Sequence, residues 1–363
     1  MYGQADWSGW VKTVPGCTPE SARRLAMLDP AIRFFFFCRE YMVLTNPDWP
    51  EPKVFNPGDA VFFTGEPWFG SAPQCDSYEK NGLALAYVGS LSADDPTSPL
   101  IAGQYATAQG LNAVDAVSLF AANLNLSLSG DYIRLAPNIP VPAGGTLAVA
   151  HDYYVQVFEQ SVAPLQAKGI AVLLTFLNNW DAAGWSNFDS RSAAGQADAW
   201  NFALQLQQVV ETYGFDGIDI DDEYADPDKE IPTSLAMVTS MIRQLMPDKI
   251  LSKALWADSQ YFGPTYQGVG LAQTLTCGWQ MSYGSTPQYD LPPYVAAGMQ
   301  RDALSYGFQA GHSPADPSPQ IAWLKSNSYA GFMVYDFENP ANQALMGTLV
   351  DDWCGPGNWN KTG

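Results

Sequence analysis

The sequence predicts a (β/α)8 TIM barrel preceded by a small, β-rich N-terminal extension, and three observations carry that reading. From about residue 83 the chain alternates eight short apolar runs with helix-like stretches, the arrangement of repeated βα units. Those stretches end on helix-stop signals at Lys168-Gly169, at Gly214 and at Pro247. The densest acidic cluster falls at the end of the fourth run, the C-terminal end of a barrel strand, where this architecture carries its chemistry.

Taken in order, the candidate strands are residues 83–88, 116–121, 170–177, 217–223, 250–255, 275–283, 306–309 and 331–337. Between the second and third, Tyr154, Phe158, Val162 and Leu165 repeat at helical spacing. Residues 199–213 form the predicted helix before the acidic strand, and 234–245 the one after it. Eight strands joined mostly by crossover helices close naturally into a barrel, here over residues 81–363. Residues 1–80 differ. Thr18-Pro19-Glu20 reads as a helix start, with threonine as N-cap and proline in the first turn. Residues 34–37 and 60–63 are strand-like, and proline and glycine interrupt the rest, so a separate extension of unassigned role is expected.

Composition narrows the function classes. With 47% hydrophobic residues among 363, a sizeable core is easily filled. Seventeen basic against 37 acidic residues give a formal charge of −20, which repels nucleic acid and anionic membranes. No window approaches the roughly 18 uninterrupted apolar residues of a membrane span. The first residues lack a basic-then-apolar signal, so no signal peptide is expected in the chain as it stands. Five cysteines show no C-x-x-C spacing and no nearby histidine, which argues against zinc; His151 and His312 have no partner spacing for a triad or a metal. Three of those cysteines lie in the first 80 residues, where a disulfide is expected.

The informative segment is Asp216-Gly217-Ile218-Asp219-Ile220-Asp221-Asp222-Glu223. The isoleucine spacers make it a strand, so Asp219, Asp221 and Glu223 share one face, about 6–7 Å apart per step. Burying three carboxylates together is unfavourable unless some are protonated or hydrogen-bonded. Chains tolerate that mainly where a carboxyl must stay protonated near neutral pH to act as an acid. A solvated strand end would explain the charges but leaves the alternation with isoleucine unexplained. A calcium loop would need a glycine and a glutamate at positions where neither stands. Asp216 reads as structural, and Asp222 points off the acid face toward a loop role.

The pattern D-x-x-D-x-D-x-E resembles the signature of glycoside hydrolase family 18, the chitinases and related endo-β-N-acetylglucosaminidases. The longer run from Tyr213 to Ala225, with its doubled aspartate and following tyrosine, resembles the endo-β-N-acetylglucosaminidase branch more closely. The likeness spans roughly residues 84–350 and implies the following roles. Glu223 protonates the leaving oxygen and later acts as base toward water. Asp221 holds the substrate's acetamido group, which serves as the nucleophile. Asp219 shares a proton with Asp221. Tyr283, in Trp279-Gln280-Met281-Ser282-Tyr283-Gly284, bonds the acetamido carbonyl. Chitinases carry aspartate where Gly284 stands and S-x-G-G on the third strand; both departures favour the endoglycosidase branch over a chitinase. Gln280, Trp279, Tyr335, Asn178 and Trp180 are the expected substrate-binding residues, with Tyr335 in place of a chitinase tryptophan beneath the sugar. The resemblance implies a retaining enzyme without metal or cofactor, acting as a monomer on the two core N-acetylglucosamines of N-linked glycans or glycoproteins. It also favours secretion. The rival expectations are a chitinase and a barrel that binds glycan without cleaving it.

Overall fold

The computed structural model describes residues 10–27, 32, 34–39, 42–44, 53–63, 75–79, 83–88, 96–108, 110–124, 133–134, 155–177 and 184–362. Eight parallel strands close into a barrel: β1 (Leu83–Val88), β2 (Ala116–Leu124), β3 (Ala171–Leu177), β4 (Gly217–Asp221), β5 (Ile250–Leu255), β6 (Cys277–Gln280), β7 (Leu304–Phe308) and β8 (Gly331–Val334). Each pairs with its successor, and β8 returns to pair with β1. Every predicted barrel strand is present, with its ends displaced by no more than three residues.

Apolar residues on both faces make these strands fully buried, as a parallel sheet wrapped by helices requires. Leu85, Tyr87, Leu173, Ile250, Trp279 and Met333 fill the barrel interior. The alternation expected of the acidic strand holds. Ile218 and Ile220 join the outer core with Phe202, Leu206 and Val210 of α1 (Ala193–Thr212) and Val238 and Ile242 of α2 (Ser234–Leu245). Asp219 and Asp221 face inward. Ser192 caps α1 by accepting from the Gly195 N–H at 3.1 Å. Gly214 ends it at φ +66°, where an added Cβ would lie 2.4 Å from the Phe158 ring. Phe158, Val162 and Leu165 lie in the helical segment before β3, as their spacing predicts, while Tyr154 is outside the described residues.

The N-terminal residues form a four-stranded antiparallel sheet in the order Trp10–Val14, Ala60–Phe63, Phe34–Cys38, Cys75–Glu79. A helix, Pro19–Met27, starts where expected: the Ser21 N–H donates to Thr18 Oγ1 at 3.2 Å, and the Thr18 N–H donates to Ser21 Oγ at 2.8 Å. Cys17 is a free thiol in the small core beneath it and takes no part in the expected disulfide. Cys38 is the register partner of Cys75. This unit meets the N-terminal end of the barrel, where Arg23 bonds the Asn112 carbonyl and the Asp115 carboxylate.

Two aspartates repeat one device at that end. Asp115, just before β2, accepts from the Ala84 N–H of β1 at 2.8 Å, and Asp216, just before β4, accepts from the Val172 N–H of β3 at 2.8 Å. Gln166 donates to Asp216 as well, at 3.0 Å. Asp216 lies about 16 Å along the strand from Asp221. Asp216→Ala should strand a buried N–H, costing about 1–3 kcal/mol and lowering Tm by several degrees, while kcat stays within about twofold. Calorimetry alongside a rate assay checks this; an unchanged Tm would mean another acceptor reaches the Val172 N–H.

Candidate active site

Asp219 is fully enclosed at the C-terminal mouth of the barrel. Its Oδ2 accepts from Tyr87 Oη at 2.5 Å and Thr175 Oγ1 at 3.1 Å, and its Oδ1 accepts from Ser252 Oγ at 2.6 Å and Trp279 Nε1 at 3.1 Å. Those donors come from β1, β3, β5 and β6. Ser118 of β2 adds a second layer, 2.7 Å from Thr175 Oγ1. Because Thr175 gives its proton to Asp219, Ser118 donates to Thr175. Burial pushes Asp219 above the usual aspartate range, and its four donors hold it back. A carboxyl facing four donors is served best when ionised.

Asp221 is 2% exposed, and its Oδ1 has no hydrogen-bond partner among the described residues. Its carboxyl lies close enough to that of Glu223 for each to affect the other's ionisation. Burial first, then the charges of Glu223 and Asp219, push Asp221 well above the ordinary range. Glu223 lies in a turn just past β4, where the predicted strand continued, and much of the residue is exposed. Its carboxyl is nonetheless crowded enough that desolvation raises it, opposed by the Asp221 hydrogen bond and by Lys253. Asp219 is expected to share a proton with Asp221; its carboxyl oxygens already accept from four donors, while Asp221 lies between the charges of Asp219 and Glu223. Asp222 points away as expected, accepting from the Trp185 N–H at 2.9 Å.

Tyr283 stands on the turn after β6 at φ +32°, an unusual conformation for a tyrosine. Its ring centroid is 5.9 Å from that of Tyr335, which in turn lies 5.8 Å from Phe120 and 6.3 Å from Tyr87. Gly307 of β7 makes room, since an added Cβ would lie 3.2 Å from the Tyr283 ring and 2.3 Å from the Gln280 carbonyl. Burial, then Tyr335 and the acids, push the Tyr283 hydroxyl well up, so it stays a proton donor.

The structure brings together Asp219, Asp221, Glu223, Tyr283, Tyr335 and Trp279. Trp279 is 1% exposed and holds Asp219. Gln280 folds onto its own turn: its Oε1 accepts from the Ser282 N–H at 2.9 Å, bracing the segment that carries Tyr283. Asn178 and Trp180 lie outside the described residues. Beyond Glu223 a cleft of about 400 Å³ opens, lined by Lys253, Trp256, Asp258, Tyr261 and Met281 among others. Sequence reasoning missed Tyr87, Ser252, Lys253 and Trp256. The available signal was a serine and a lysine inside the otherwise apolar run of β5.

Comparison with models of known protein families finds no match. Among characterised proteins, the chain is 30% identical over 246 residues to an endo-β-N-acetylglucosaminidase of Flavobacterium sp. (strain SK1022), covering 64% of this chain and 69% of that one. It is 25% identical over 248 residues to endo-β-N-acetylglucosaminidase F1 of Elizabethkingia meningoseptica, covering 65% and 66%. Among solved structures, catalytic domain 2 of the Ostrinia furnacalis Group II chitinase aligns with a TM-score of 0.54 at 14% identity, over 77% of this chain and 98% of that one. The catalytic domain of the psychrophilic chitinase B from Arthrobacter TAD20 gives 0.51 at 14% identity, over 78% and 98%. These structural likenesses speak to the barrel fold. The 30% identity to the first relative, across 69% of its length, shows that the chain belongs to the endo-β-N-acetylglucosaminidases of glycoside hydrolase family 18.

Proposed function

We propose that the protein cleaves the β1,4 bond between the two core N-acetylglucosamines of N-linked glycans, with retention of configuration. The observation that carries this reading is the buried Asp221 Oδ1, without a hydrogen-bond partner among the described residues, on a carboxyl that feels the charge of the accessible Glu223 and in turn raises the Tyr283 hydroxyl. An acetamido N–H is the group such an oxygen lacks. Docking it favours ionised Asp221, which moves the shared proton onto Glu223. The acetamido oxygen, held by the Tyr283 hydroxyl, then attacks C1 as the bond to the leaving oxygen breaks, and Glu223 protonates that oxygen. Water, deprotonated by Glu223, opens the resulting oxazolinium and restores the starting state. Tyr335 lies beneath the sugar, and Trp279 acts through Asp219.

The leaving sugar lies beyond Glu223, in the cleft where Trp256 is 58% exposed. An indole held in water at the rim is suited to stack on the apolar face of that sugar. The dense negative charge suits a neutral glycan and disfavours nucleic acid, and a single chain supplies every group named. We place the chemistry in residues 81–363 and treat residues 1–80 as a separate unit packed beneath the barrel. No helix among the described residues is long and apolar enough to cross a membrane. A chitinase reading is weakened by Gly284, and a purely binding role by the presence of Glu223.

Three outcomes test this reading. Mass spectrometry of a high-mannose glycoprotein should find one N-acetylglucosamine left on asparagine, and Glu223→Gln should lower that turnover by more than about 10³-fold with Tm preserved. Efficient cutting of chitin oligomers without that remnant would hand the case to the chitinase reading.

Asp221→Asn addresses the pair. A carboxyl whose folded pKa lies above its unfolded value costs stability as pH rises between the two. The Asn variant should therefore melt above wild type at pH 7, the gap closing below about pH 4, near the unfolded aspartate value. A variant melting lower at pH 7 would contradict the buried, proton-holding role.

Trp256→Ala should lower kcat/KM on glycopeptide about threefold or more, and lose less on a preformed sugar oxazoline, which has no leaving sugar. Equal losses on both would remove Trp256 from the leaving side.

A further inference from the structure

Lys253 has no part in the steps above. It sits on β5 beside Ile220 of β4 and is 2% exposed. Its ammonium donates to Asp258 Oδ2 at 2.5 Å and to the Ala254 carbonyl at 2.8 Å. Taking an ammonium out of water costs several kcal/mol, and a buried ion pair returns little net stability compared with apolar residues of the same size. Stability is therefore a poor reason for this lysine.

Its surroundings supply a better one. Lys253 and Glu223 line the same cleft, and Lys253 is the only basic residue among the described ones that do. The groups facing its ammonium are Asp258 from the turn after β5, and Asp222, Asp221 and Glu223 from the end of β4. Glu230 and Tyr261 also line the cleft, and Tyr294 reaches Asp258. Burial pushes the lysine down, but Asp258 first, then Asp222 and Asp221, outweigh it and keep the ammonium charged. Asp258 is itself fixed: its Oδ1 accepts from Tyr294 Oη at 2.7 Å and from the Trp256 N–H at 3.2 Å. A cation anchored in this way needs no rearrangement to act on a charge that appears beside it, and in a water-poor site its effect is larger than in solvent.

We propose that Lys253, clamped by Asp258, is a positioning residue that stabilises the Glu223 carboxylate left when the proton passes to the leaving oxygen, and so sets how far into the alkaline range the enzyme works. The proposal rests on Glu223 as proton donor, which the Glu223→Gln assay tests separately.

The experiment is kcat/KM against pH on a glycopeptide for wild type, Lys253→Met, Lys253→Arg and Asp258→Asn. Without the ammonium, Glu223 keeps its proton to higher pH, so Lys253→Met should move the alkaline limb up by about half a unit or more and lower the plateau several-fold. Lys253→Arg should restore the wild-type limb. Asp258→Asn leaves the ammonium without its neutralising partner and should move the limb down. A merely structural pair would lower activity in both variants with the limbs in place. A limb unmoved in folded Lys253→Met, or moved the same way in both variants, overturns the proposal. Should Lys253→Met fail to fold, an unmoved limb in Asp258→Asn overturns it equally.

Discussion

Asp219 carries a buried carboxylate that four strands answer at once, through Tyr87, Thr175, Ser252 and Trp279. An ionised carboxylate removed from water is very costly unless its lone pairs meet donors, and hydrogen bonds from neutral donors to a charged acceptor are stronger than those between neutral groups. Each donor must arrive from its own strand, so the same contact constrains the register of β1, β3, β5 and β6 around β4. A one-residue slip in any of them would turn its donor to the outer face. The charge also shapes the chemistry above it. With the charges of Glu223 and Asp219 close by, buried Asp221 resists ionisation, which under the proposed mechanism keeps a proton within reach of Glu223.

The mouth of the barrel is built at the expense of backbone comfort. Ala257 after β5, Tyr283 after β6 and Asp336 after β8 all hold φ between +32° and +53°. Each such residue costs on the order of 1–3 kcal/mol, and persists only where its surroundings over-determine it. All three turns present an aromatic ring to the site: Trp256 precedes Ala257, Tyr283 is itself in the strained turn, and Tyr335 precedes Asp336. A regular strand would continue each ring along the barrel wall; a left-handed residue turns the chain at once and leaves the ring over the mouth. The polar side chains beside these turns serve the same end. Asp258 holds the first, and Gln280 braces the second through Ser282.

How much of this could be read from sequence depended on whether the signal was periodic. The eight strands and the inward acids follow from apolar alternation, which survives without tertiary information; β4 obeys it through Asp221. Glu223 breaks it, because the chain leaves the barrel before that residue, which lies in the turn beyond. The roles of Trp279 and Gln280 could not be read locally. Both are expected at the sugar, and the hydrogen bonds of one run to Asp219 and of the other to its own turn, partners that strand alternation alone does not name. Tyr87 looks like any apolar-strand tyrosine until Asp219 is seen beside it. Lys253 did carry a local signal, a charge inside an apolar strand, but its meaning depends on Asp258 and Glu223.

From the base of β4 to the turn beyond it, Asp216, Asp219, Asp221 and Glu223 differ in how completely their oxygens are satisfied. Asp216, at the base, spends Oδ2 on a backbone N–H and a glutamine amide, and serves the barrel. Asp219 meets four donors, which favour its charged form against burial. Asp221 has an Oδ1 unmet among the described residues and a charged neighbour in Glu223. Glu223, last and most exposed, has Asp221 and the nearby ammonium of Lys253. A group whose hydrogen bonds are complete gains nothing by moving a proton or meeting a ligand, whereas an incomplete one gains by doing either. Under the proposed mechanism reactivity rises toward the mouth for the same reason that stability resides at the base, and the strand's alternation keeps Asp219 and Asp221 on the interior face while the isoleucines fasten it to the helices outside.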